Sequence, residues 1–177
     1  MKQKSLMFLF MIILAGFAFA QPTQPTQTAP AETKPLAETL SWLEGNWEGQ
    51  GIMSGDQEFT GTLSGKPELD GEAVILTRES VGKTQQAGLK EIMLIGFEAS
   101  TKKIILTLLT SKNSIGIYTG ELKDHEITFT LATAQQGYVD RRSFKQLPDG
   151  GISFIIERGT PEKAVSKVVE INFKKKS

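Results

Sequence analysis

From Trp47 onward the apolar and polar residues alternate with a period of two. Trp47, Gly49, Gly51 and Met53 fall on one face of a first strand, with Glu48 and Gln50 on the other. Phe59, Gly61, Leu63 and Gly65 alternate with Glu58, Thr60, Thr62 and Ser64 in a second, and residues 73–80 form a third. The same pattern continues near 88–98, 103–110, 114–121, 126–133, 138–147, 151–158 and 164–173. Between these runs lie turn formers: Ser54-Gly55-Asp56, a tight Asp70-Gly71 turn, Ala99-Ser100-Thr101, Ser111-Lys112-Asn113, Lys123-Asp124-His125 and Pro148-Asp149-Gly150. Helical spacing occurs once: Leu36, Leu40 and Leu43 form one stripe behind Pro35, which suits a first helical position.

About ten strands without an intervening helix exclude parallel βαβ units. The pattern predicts an all-β, antiparallel up-and-down barrel with a short N-terminal helix. Closure removes the exposed edges that an open sheet of this length would carry. The glycines at 49, 51, 61 and 65 permit the sharp curvature that closure demands.

The first 34 residues follow other rules. Lys2 and Lys4 precede an apolar run from Leu6 to Phe19, which ends in Ala18-Phe19-Ala20. That is the layout of a secretory signal peptide, and the run is short for a membrane span, which needs about 20 residues. The expectation is export, to the periplasm or outside the cell, with cleavage near Ala20 and no transmembrane span in the mature chain. Residues 21–34, QPTQPTQTAPAETK, have nothing larger than Ala to bury and read as an extended linker. The barrel domain then occupies 35–177.

The 177 residues carry 20 Lys+Arg, 20 Asp+Glu, one His and no Cys. Losing residues 1–20 removes two Lys and no acid, so 18 basic residues then face 20 acidic ones. Without Cys there is no disulfide, thiol nucleophile, Cys-based zinc site or lipid-anchored Cys. One His cannot make a two-His metal site. The charge balance and the lack of a large basic cluster exclude nucleic acid as the main partner. Gly82-Lys83-Thr84 is no phosphate loop, because Thr77 stands where its first Gly must be. No Gly-x-Ser-x-Gly elbow accompanies His125, which reads as a turn residue between Asp124 and Glu126. Glu72, Glu79 and Glu91 are candidate paired carboxylates whose separation the sequence leaves open.

Leu43-Glu44-Gly45-Asn46-Trp47-Glu48-Gly49 opens the first strand behind the helix. It resembles the Gly-x-Trp start of calycin-type barrels such as lipocalins, fatty-acid-binding proteins and nitrobindin-like domains. Together with LDGEAV (69–74), LIGFEASTKK (94–103) and RRSF (141–144), it resembles a bacterial family of exported domains of unknown function with a calycin-like barrel. The resemblance spans about residues 36–174 and implies mainly the fold. Nitrobindin-like domains bind haem through a His late in the domain. Here no His follows His125, so no haem and no other cofactor is expected.

The resemblance also implies that Trp47 plugs the closed end of the barrel, with an Arg from a late strand against its indole. Arg142 shares a face with Tyr138, Asp140 and Phe144, and an inward charge must be paired or stacked. Arg142 is expected either to stack on Trp47 or to hold an acidic head group in a cavity. Arg141 then faces outward. The expected inward set is Met53, Phe59, Leu63, Met93, Ile95, Phe97, Ile117, Phe129, Leu131, Phe154, Ile156, Val169 and Ile171. The Lys174-Lys175-Lys176 run reads as a solvated tail guarding the last strand.

Three readings follow. The first is an exported barrel holding a small apolar or weakly acidic ligand, with Trp47, Met53, Met93, Tyr118, Tyr138 and Arg142 as ligand-contact candidates. The second is an envelope interaction module with a packed barrel. The third is an enzyme using interior acids or Tyr, which no motif supports. An open interior favours the first and a packed interior the second.

Overall fold

The computed structural model describes residues 34–83, 88–132 and 137–177. The expected signal segment and nearly all of the linker lie outside these residues.

A short helix α1 (Leu36–Thr39) and a 3-10 turn (Ser41–Leu43) precede ten strands. These are β1 (Gly45–Met53), β2 (Gln57–Glu68), β3 (Ala73–Gly82), β4 (Leu89–Glu98), β5 (Lys103–Thr110), β6 (Ile115–Lys123), β7 (Glu126–Leu131), β8 (Val139–Gln146), β9 (Ile152–Thr160) and β10 (Lys163–Lys175). Each strand pairs antiparallel with its sequence neighbours, and β1 closes the barrel on β10. The expected helix is thus two pieces, split where Leu40 leaves helical geometry. The expected tight turn at Asp70-Gly71 is instead a 3-10 turn, Leu69–Gly71, with Leu69 and Asp70 both at positive φ.

The Leu stripe at the N-terminus exists to cover one barrel end. Leu36, Ala37, Leu40 and Leu43 are buried in the same cluster as Trp47 and Leu63. From this helix end the core runs inward through Leu76, Met93, Ile95, Leu106, Phe129, Phe144, Phe154, Ile171 and Phe173, all fully buried. Burial of each such side chain is worth about 1.5–3 kcal/mol. Met53, Leu131 and Val169 are only partly buried at the far end.

Two expected inward residues are not in the core. Ile117 is 48% exposed on the outer face, because Tyr118 takes the inward position of β6. Phe97 has inward parity but is 49% exposed, since β4 runs past the core at the helix end. The terminal lysines are not a loose tail either. β10 extends to Lys175, which pairs with Trp47, and the Lys176 N–H donates to the Asn46 carbonyl, so no edge needs guarding.

The strand glycines mark close approach rather than empty volume. A Cβ on Gly65 would overlap the Leu43 carbonyl oxygen, and one on Gly51 would stand 2.8 Å from the Phe59 ring. Gly65→Ala is therefore expected to lower stability by about 1–3 kcal/mol through overpacking, read as a lower urea midpoint with unchanged slope.

Candidate functional site

In β3, alternation carries Val74, Leu76, Arg78 and Ser80 inward; in β4 it carries Glu91, Met93 and Ile95. Register sets Arg78 directly opposite Glu91. β6 contributes Tyr118, and β8 contributes Asp140 and Arg142. Arg158 on β9 stands opposite Asp140. A connected polar network therefore forms inside an apolar barrel, beyond the packed core as seen from the helix end.

Glu91 is its centre. Arg78 Nε donates to Glu91 Oε2 at 2.6 Å, and Arg142 Nη1 donates to Oε1 at 3.0 Å. Arg142 Nε donates to the Tyr118 hydroxyl at 3.2 Å, and that hydroxyl donates to Asp140 Oδ1 at 3.4 Å. Arg158 Nε closes the chain on Asp140 Oδ2 at 3.0 Å. Arg78 also lies 4.9 Å over the Phe154 ring, and Arg142 5.4 Å over that of Tyr118. Arg78, Glu91 and Arg142 are 2%, 1% and 3% exposed, whereas the Arg158 side chain is 48% exposed. Three guanidinium groups thus meet two carboxylates, and the surplus positive charge sits on the member that reaches water.

Burial by itself would raise the Glu91 pKa. The charges of Arg78 and Arg142 and their hydrogen bonds outweigh it, and the carboxyl is held below its ordinary value. Burial pushes the Tyr118 phenol up. Both Glu91 oxygens are engaged and its ionised form is favoured, the reverse of the tuning a general acid needs.

The sequence candidates distribute as follows. Tyr118 and Arg142 meet within the network, and Met93 is packed in the core. Trp47 lies at the helix end, where Lys175 Nζ, not Arg142, sits 5.3 Å over its ring. The expected Arg142–Trp47 stack is replaced because Glu91 competes for the guanidinium with a full charge. Met53 is half-buried at the far end, and Tyr138 is 36% exposed just before β8. The three candidate carboxylates do not meet: Glu72 is exposed at a turn, Glu79 faces out toward Lys90, and Glu91 is inside. Arg141 faces outward onto Glu157, as expected. Arg78 was not among the candidates. Its signal was an Arg at the apolar parity of β3, with an acid at the same parity of β4.

No group of three or more His, Cys, Asp or Glu among the described residues could hold a metal ion. The late inward positions are Asp140, Arg142, Phe144, Phe154, Ile156 and Ile171, which offer no imidazole. His125 is exposed in the β6–β7 turn, where its carbonyl accepts from the Gln146 N–H at 2.9 Å.

The outer surface divides in two. Over much of it, ion pairs link neighbouring strands: Glu58–Lys83, Glu126–Lys145 and Arg141–Glu157, with Glu79–Lys90 at the far end of β3 and β4. Between that last pair and the helix end, the face of β3 to β6 differs. Register aligns Thr77, Ile92, Leu109 and Ile115 in one row, and Ile75, Leu94, Thr107 and Ile117 in the next. A third row holds Ala73, Gly96, Ile105 and Thr119. This grid carries no charge. Ile92, Leu94, Leu109, Ile115 and Ile117 within it are 41–74% exposed. A groove of about 460 Å³ at its helix-end corner is lined by Leu69, Leu94, Gly96, Phe97 and Ile105, with Glu72 and Glu98 beside them.

No family model and no curated protein matches the chain. Among solved structures, the crystal structure of Rv2717c from M. tuberculosis is similar, with a TM-score of 0.59 at 13% identity. The similarity covers 81% of this chain and 98% of that one. A de novo designed fluorescence-activating β-barrel aligns with a TM-score of 0.40 at 12% identity, over 78% of this chain and 97% of the design. The likeness to Rv2717c shows the barrel fold, not a function.

Two outcomes test the network. Glu91→Ala leaves the buried Arg78 guanidinium unpaired and Arg142 with only Asp140, 3.6 Å away, and is expected to cost about 3–5 kcal/mol, while Arg158→Ala, at a half-exposed site, costs under about 1 kcal/mol. Because the folded Glu91 pKa lies below the ordinary 4.5, its contribution is complete above that pH and is lost as pH falls through the folded value. Stability of the Glu91→Gln variant should therefore fall less steeply with acid below about pH 4.5 than wild type, as chemical denaturation across pH would record.

Proposed function

We propose that the protein is an exported interaction module whose barrel is a packed scaffold and whose outer β3–β6 face engages a protein partner. The observation that carries this reading is the charge-free aliphatic grid on a surface otherwise laced with ion pairs. The largest exposed apolar patch of a typical monomer, about 300–600 Å², is often a functional surface. The large side chains buried inside the barrel, Met93, Phe129, Phe144 and Phe154 among them, support the same reading, because a small-ligand barrel needs a cavity of roughly 300 Å³ or more. Arg142, the residue best suited to grip an acidic head group, already holds the Glu91 carboxylate.

Export rests on the signal-like residues 1–20, and the partner is then an envelope or extracellular protein. No helix among the described residues is long and apolar enough to cross a membrane. The proposed module uses no cofactor and performs no reaction.

The test combines two measurements. Native mass spectrometry of protein from an exporting host should give the polypeptide mass without a small molecule. A photo-cross-linking residue at position 117 should join the protein to a polypeptide, whereas one at 130, on the exposed outer face of β7, should not. A stoichiometric small molecule bound in the barrel, or equal cross-linking at both positions, overturns the reading.

A further inference from the structure

We infer that the partner seated on the β3–β6 face is a second copy of this chain; the inference rests on the interaction reading above. A grid without charge selects for an equally uncharged and aliphatic surface. This chain supplies one at its own concentration, and a two-fold axis through the face makes it self-complementary.

The shape of the face supports that occupant. Ile115, 74% exposed, projects at one corner, and Gly96, one strand in from the opposite corner, leaves open space where an added Cβ would meet nothing within 4 Å. Ile115 belongs to the first row on β6, and Gly96 to the third row on β4. Thr107, in the second row on β5, is their midpoint. A two-fold axis close to Thr107 places each copy's Ile115 into the other's Gly96 hollow, with the strands of the two sheets close to perpendicular, a known class of sheet packing. The grid covers about 400 Å² at ordinary strand spacing. That is about half of the roughly 800 Å² per partner of a standard interface, which fits a weak, micromolar contact.

Filling the hollow and charging the projection test this without touching the core. Gly96→Leu adds a side chain where the barrel has free space, and Ile115→Glu charges a residue already in water. Sedimentation equilibrium of the full chain from an exporting host should give a dimer at micromolar concentration. Each variant should weaken that dimer at least tenfold while keeping the wild-type thermal unfolding midpoint. Thr130→Glu, on β7, should leave the dimer intact. A wild-type monomer at every concentration overturns the second copy, and so does a dimer that both variants leave unchanged. Either result leaves the position-117 cross-link to judge the broader interaction reading independently.

Discussion

Arg78 and Arg142 point into the barrel, and Glu91 is what allows it. Each guanidinium group loses its hydration there, and burial opposes its charge. One carboxylate with an oxygen for each Arg offsets that cost for both and ties β3, β4 and β8 together across the interior. Tyr118 and Asp140 carry the chain of hydrogen bonds on to Arg158, where the last positive charge meets water. A closed barrel has two ends to finish. Here Leu36, Leu40, Leu43 and Trp47 finish one with hydrocarbon, and the network occupies the interior toward the other.

That arrangement moves the search for function to the outside. Met93, Phe129, Phe144 and Phe154 occupy interior positions between the network and the helix end, all fully buried. The strands must still present a second face, and in β4, β5 and β6 that face is aliphatic too. Residues such as Ile92, Leu94 and Ile117 gain nothing from water and add nothing to the core. A partner surface gives them a physical role that the barrel does not.

Strand positions and connectivity were legible because period-two alternation and turn chemistry are local. About ten strands were expected and ten are present among the described residues, with boundaries that differ by a few residues. The inward parity of Met93, Phe129, Phe154 and Ile171 was equally legible. Ile117 was not, because Ile and Tyr118 compete for one inward position and alternation alone does not say which wins. Phe97 has the expected parity but lies past the end of the core, a distance that parity does not encode. At the polar site, an inward Arg142 was legible as a charge that needed a partner. Its choice of Glu91, 51 residues away, over Trp47 was not.

The sequence by itself determined an all-β chain closing on itself, a leucine-striped cap and an Arg that had to be compensated, since each follows from side-chain period or the cost of burying charge. Only the tertiary structure decided that Arg78 and Arg142 share Glu91, that Met93, Phe129, Phe144 and Phe154 are buried together inside the barrel, and that the aliphatic residues of β4, β5 and β6 align into one uncharged surface. Those outcomes depend on cross-strand register and barrel radius, which arise when all ten strands close together.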